Sequence, residues 1–163
     1  MPRAYTVQAQ NVTTTGSTAN LAFAFVNPGS TCSLQFQRSW LSQNGTTTSA
    51  MNTAAIMTQV TAFPTLTSTT PAKLNLLDPV SQITGGTSGA AGTSGTNASV
   101  AGAGAKTTVY SDNFNVLNGW LWVPTPLEVM VMNAGASSGW GVYSPSNWTS
   151  TAGWSGGCVF QEL

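Results

Sequence analysis

Residues 107–132 read TTVYSDNFNVLNGWLWVPTPLEVMVM, and no other stretch constrains the fold as much. Its β-branched and aromatic runs are separated by Asp, Asn, Gly and Pro, the pattern of strands joined by turns. From Gly119 to Val123, Trp120 and Trp122 point one way and Leu121 and Val123 the other, so the spacing predicts a strand buried on both faces. Pro124-Thr125-Pro126 must stop it, because proline donates no backbone hydrogen bond and holds the residue before it extended or in a turn. A further strand is expected from Leu127, with Leu127, Val129 and Val131 on one face and Glu128, Met130 and Met132 on the other.

The rest of the chain supplies similar runs. Tyr5, Val7 and Ala9 alternate with Thr6, Gln8 and Gln10, a half-buried first strand. Leu21, Phe23 and Phe25 alternate with small residues up to Asn27-Pro28-Gly29-Ser30, a β-turn. Cys32, Leu34, Phe36 and Trp40 share a face with Arg38, opposite Ser33, Gln35, Gln37 and Ser39, so strands over 19–26 and 32–41 are expected to form a hairpin. Residues 49–60, SAMNTAAIMTQV, fit a short helix or a strand of small residues; Ala and Met favour the helix. Leu74 and Leu76 alternate with Lys73 and Asn75 in a strand stopped by Asp78-Pro79.

Residues 85–105 hold Gly, Ala, Ser and Thr with almost nothing to bury, and read as a long flexible loop or a segment ordered by a neighbouring subunit. A Trp- and Gly-rich run, 135–157, precedes a last strand over 158–163. Short strands between turn signals, with at most one short helix, predict a single domain over 1–163, an all-β antiparallel sandwich of jelly-roll type.

Charge narrows the function. Only 5% of the 163 residues are charged, against about a quarter in an ordinary domain. The four basic residues (Arg3, Arg38, Lys73, Lys106) balance the four acidic ones (Asp78, Asp112, Glu128, Glu162). A neutral surface of Thr, Ser, Asn, Gln and Gly associates readily, which predicts a subunit packed among neighbours. Scattered cations argue against nucleic acid, and no window reaches the roughly 18 apolar residues of a membrane span. Met1-Pro2-Arg3-Ala4 leads into a polar strand rather than an apolar signal region, so the mature chain is expected to start near Met1 or Pro2. Without an export signal, Cys32 and Cys158 read as two buried thiols rather than a disulfide.

Catalytic and metal chemistry finds little to work with. The chain has no His, which removes the commonest general base and metal ligand. Asp112 and Glu128 are the one carboxylate pair worth testing, if the proline break folds their strands side by side; otherwise each serves a turn or faces solvent. No zinc or calcium ligand spacing is present, and no cofactor is implied. The aromatics Trp140, Tyr143, Trp148 and Trp154 lie among Gly and Ser. Each is open to three uses: stacking on a sugar ring, filling a subunit contact, or anchoring the core.

The run TVYSDNFNVLNGWLWVPTP (108–126), with PRAYTV at 2–7, Leu77-Asp78-Pro79 and the closing GGCVFQEL, resembles a family of small tailed-bacteriophage virion proteins. That resemblance covers the second half of the chain well and the first half poorly. It implies an all-β, non-enzymatic structural protein of the virion, assembled in the bacterial host cytoplasm. The particular expectation is a capsid decoration or cement subunit, a homotrimer bridging joints between copies of the major capsid protein. Its shell contacts would come from an N-terminal arm (Pro2, Arg3, Ala4, Tyr5) and from the Gly-rich loop (Gly92, Gly95). The alternative is a tail or surface adhesin binding host carbohydrate through Trp140, Trp148 and Trp154.

Overall fold

The computed structural model describes residues 3–13, 22–30, 32–43, 52–61, 67–83, 91–93, 106–134, 139–143 and 153–163. Among them the chain forms β1 (Arg3–Thr13), β2 (Ala22–Val26), β3 (Leu34–Gln43), β4 (Asn52–Val60), β5 (Thr67–Ser68), β6 (Ala72–Lys73), β7 (Ala91–Thr93), β8 (Lys106–Asn115), β9 (Trp120–Trp122), β10 (Val131–Met132), β11 (Gly139–Tyr143) and β12 (Gly153–Glu162). Two antiparallel sheets result. One runs β10-β3-β12-β1-β6, with β9 also paired to β3; the other runs β5-β7-β2-β11-β4-β8.

The sheets pack face to face as a β-sandwich. Tyr5, Val7, Leu34, Phe36, Leu41, Trp154 and Phe160 of the first meet Phe23, Met57, Trp140 and Val142 of the second in one buried cluster. Rings cross the gap: Phe36 lies 5.0 Å from Trp140, and Tyr110 of β8 lies 6.4 Å and 6.1 Å from Trp120 and Trp122 of β9. Such tilted pairs add to the area that they bury. Cys32 and Cys158 are both buried in this core as thiols, as the sequence led us to expect.

Several local expectations are corrected. Residues 52–60 form a strand, not a helix. With β8 on one side and β11 on the other, pairing along both edges outweighs the weak helix preference of Ala and Met. The turn at Asn27–Ser30 exists, with Gly29 at φ 58° and its N–H donating to Asn27 Oδ1 at 2.7 Å. It does not make a hairpin, because β2 and β3 lie in different sheets, each placing apolar side chains in the shared core.

In β3, Gln37 is an extra residue: Phe36 pairs with Phe160 and Arg38 with Val159. This bulge switches the inward set from Leu34 and Phe36 to Ser39 and Leu41, so Trp40 lies outside beside Arg38, whose guanidinium carbon is 5.7 Å from its ring. A second bulge, where Asn11 takes φ 54°, carries β1 from Ala9 to Val12 with both still inward. Strand β9 is buried on one face only: Trp120 and Trp122 face in, while Leu121 and Val123 are exposed. The strands expected at 73–76 and from Leu127 shrink to β6 and β10, with turns taking their place.

Candidate functional site

The feature that most needs explaining is a set of three turns, each holding a leucine out into solvent. In Asn75-Leu76-Leu77-Asp78 the Asp78 N–H donates to the Asn75 carbonyl at 3.0 Å, and the Leu77 N–H donates to Asn75 Oδ1 at 3.1 Å. Asn115-Val116-Leu117-Asn118 repeats both bonds at 3.0 Å. In Thr125-Pro126-Leu127-Glu128 the Glu128 N–H donates to the Thr125 carbonyl at 2.9 Å, and the Glu128 carboxylate accepts from the Thr125 hydroxyl at 2.9 Å. Asn and Thr are ordinary turn residues, because their side chains bond to nearby backbone. Leucine in the third place is not. Leu77 is 92% exposed and Leu127 99%.

The first of these turns is pinned at both ends. Before it, β6 pairs with Tyr5 and Thr6, and the Leu74 N–H donates to the Ala4 carbonyl at 3.0 Å. After it, the Tyr5 hydroxyl donates to the Pro79 carbonyl at 3.1 Å, and Glu162 receives the Ser81 hydroxyl at 2.6 Å and the Gln82 N–H at 2.9 Å, all through Oε1. Ile83 then enters the core. Glu162 is 4% exposed and its Oε2 has no hydrogen-bond partner among the described residues. A buried carboxylate is costly unless well bonded, and here it fixes a loop that displays Leu74, Leu76, Leu77 and Val80 to solvent. Burial and the nearby Glu162 charge both push the Tyr5 hydroxyl above its usual pKa, burial more strongly.

The opposite edge of the same sheet carries a second apolar surface: Leu121 and Val123 on and just after β9, Leu127 at its turn, and Val131 on β10. Beside it, a cavity of about 210 Å³ lies between edge strands β10 and β8, lined by Phe36, Gln59, Val109, Met130, Val131, Met132 and Trp140. Trp140 is 4% exposed, and its indole N–H lacks an acceptor among the described residues. Two methionines give the wall an adaptable lining.

The residues singled out by sequence fall elsewhere. Trp140 and Trp154 are core residues, so core packing is the use that they take and neither presents a face to a sugar. Tyr143 ends β11, and Trp148 lies outside the described residues. The N-terminal arm is not free: Arg3, Ala4 and Tyr5 belong to β1, which pairs with β12, and Tyr5 also pairs with β6. Gly92 sits in β7, paired with β2 and β5, so part of the expected loop is strand. Pro2 and Gly95 lie outside the described residues. Asp112 Oδ1 accepts its neighbour Asn113's N–H at 2.8 Å, while Glu128 closes its own turn. Asp112 thus bonds the backbone of its own strand β8, and Glu128 its own turn. Among the described residues no group of three His, Cys, Asp or Glu could hold a metal, and no helix is long and apolar enough to cross a membrane.

The turn leucines were the residues missed. Their signal was present as Asn-x-Leu-Asp and Asn-x-Leu-Asn, turn-forming asparagines two places before a leucine, but alternation with Lys73 and Asn75 suggested a strand instead. Together the two packed antiparallel sheets define the molecule as a β-sandwich protein. No protein-family model, curated protein or solved structure matches it.

Proposed function

We propose that this chain is a non-enzymatic structural subunit whose surface is completed by neighbours. We further propose that the assembly is a tailed-bacteriophage virion, in which a trimer of the chain cements joints between major capsid proteins on the shell surface. The observation that carries the first part is the set of leucines held outward by locked turns at two edges of one sheet. Fully burying such a side chain contributes about 1.5–3 kcal/mol, and in a chain with so few charges this is the main driving force available for association. The location on a virion rests on the resemblance of residues 108–126 to the phage family. The work would be mechanical: modest contacts repeated over a symmetric shell sum to a large resistance to internal pressure.

The test is reconstitution. Virions lacking the protein are mixed with the purified chain, and both bound copies and the temperature of DNA release are measured. The proposal expects saturable binding and a raised release temperature, both reduced by Leu127→Asp in a folded variant. Absence of binding to shells would overturn the cement assignment.

A further inference from the structure

We propose that Asn118 is a site of self-modification: in the folded chain its carboxamide is lost to the backbone nitrogen of Gly119 through a succinimide, leaving aspartate and isoaspartate at the foot of β9. Asn118 ends the turn that joins β8 to β9, its own N–H donating to the Asn115 carbonyl at 3.0 Å. The residue is exposed, and neither its side chain nor the Gly119 N–H has a hydrogen-bond partner among the described residues. The attacking nitrogen and the carbon under attack are therefore both unrestrained by bonding, and Gly119 has no Cβ to shield its nitrogen.

The other turn asparagines are protected. Oδ1 of Asn75 and of Asn115 accepts a backbone N–H two residues on, at 3.1 Å and 3.0 Å, and the bulky Leu76 and Val116 follow them. Asn27 is buried with its Oδ1 on the Gly29 N–H, and Pro28 after it has no N–H to give. Among the described residues only Asn118 precedes a glycine; the chain's other Asn-Gly pair, Asn44-Gly45, lies outside them. The glycine itself is dictated by the backbone. Gly119 has φ 70°, and a Cβ there would stand 3.3 Å from the Leu41 carbonyl oxygen, so the entry to β9 requires it.

The reaction balances with water alone. Hydroxide takes the Gly119 amide proton, the nitrogen's electron pair forms a bond to Asn118 Cγ, and the Cγ–Nδ2 bond breaks, ammonia leaving with a proton taken back from water. Water then opens the ring. Addition at one ring carbonyl gives aspartate; addition at the other gives isoaspartate, whose main chain runs through the former side chain and gains a methylene. Either product sets five acidic groups against four basic ones in a chain that holds four of each, a large change where charge is so sparse. The new carboxylate stands next to exposed Leu117 and close in sequence to Leu121 on the sheet edge. The added methylene also displaces β9, whose Trp120 pairs with Leu41 and is buried in the core.

The experiment ages the purified full-length chain in mildly alkaline buffer, folded and in guanidinium chloride, and maps its peptides by mass spectrometry with fragmentation that separates aspartate from isoaspartate. The folded chain should shift by one negative charge on isoelectric focusing, with the change mapped to Asn118 at a rate comparable to that of the unfolded chain and with Asn75 and Asn115 intact. Asn118→Gln, whose longer side chain would have to close a six-membered ring, should lose this conversion and keep its fold by thermal melting; any change at Asn44 is resolved by the peptide map. The isoaspartyl fraction should unfold at a lower urea concentration than the unaged chain. A folded chain that keeps Asn118 intact overturns the inference, as does conversion of Asn75 or Asn115 as fast as Asn118. An isoaspartyl fraction as stable as the unaged chain overturns the consequence for β9.

Discussion

Replacing Glu162 tests how the projecting loop is held. Glu162 closes β12 with its carboxylate buried, and Oε1 accepts both the Ser81 hydroxyl and the Gln82 N–H. A hydrogen bond to a charged group contributes about 1.5–3 kcal/mol, so Glu162→Ala removes two such bonds and leaves the buried Ser81 hydroxyl without this acceptor. Against that loss stands the relief of no longer burying a carboxylate whose Oε2 has no partner among the described residues. The balance is a destabilisation of about 2–4 kcal/mol, a large part of the 5–15 kcal/mol typical of a domain. Glu162→Gln keeps an acceptor at Oε1 but buries an amide N–H2 where Oε2 has no partner among the described residues, and should cost about 1–2 kcal/mol, less than Glu162→Ala. Urea unfolding at an unchanged slope measures both, and amide exchange at Gln82 shows whether the loop has come loose. Equal losses in the two variants, or unaltered exchange at Gln82 in Glu162→Ala, would refute this reading of the carboxylate as the loop's anchor.

Other positions give independent checks. The hydroxyl of Thr58 is buried with no partner among the described residues, so Thr58→Val, nearly the same shape, should stabilise the fold by about 1–2 kcal/mol in urea unfolding. At Gly157 an added Cβ would lie 2.6 Å from the Val7 carbonyl oxygen and 2.6 Å from the Trp40 ring; Gly157→Ala should destabilise by about 1–3 kcal/mol on the same assay. Burial pushes the Cys158 thiol from 9.0 up to about 12. The unfolded chain therefore releases this proton first: stability from this group is intact below pH 9 and falls as pH rises toward 12, by up to about 4 kcal/mol, with Tyr5 acting in the same direction. Equilibrium unfolding across that range reads the decline, and the folded thiol should resist alkylation at pH 8 while the unfolded one reacts.

Period-two alternation made the long strands legible. The apolar residues of β1 and of the first half of β3 carry it plainly, and with proline and glycine punctuation they led to the two-sheet class. Bulges broke it. Nothing in the local pattern marks Gln37 as an extra residue, because the bulge is set by how β3 pairs with β12, more than a hundred positions away in sequence. β4 was obscured by its small residues, whose side chains say little about burial until β8 and β11 pair with it. The exposed leucines were misjudged for a different reason. Burial is the default expectation for leucine in a folded chain, whereas the turns here hold Leu77 and Leu127 in water. For Trp140 and Trp154 the surrounding Gly and Ser left three uses open, and the structure takes the core one, with glycine letting strands approach large rings. At Gly156 a Cβ would fall 2.9 Å from the Phe23 Cβ.

A cryo-electron microscopy map of the virion in which the proposed function places this chain, resolved to side chains, tests that proposal most directly. The expected result is trimers at the local three-fold joints of the shell, with Leu77 and Leu127 covered by protein. Density only on the tail or its fibres, or shell-bound copies with both leucines facing solvent, would contradict it.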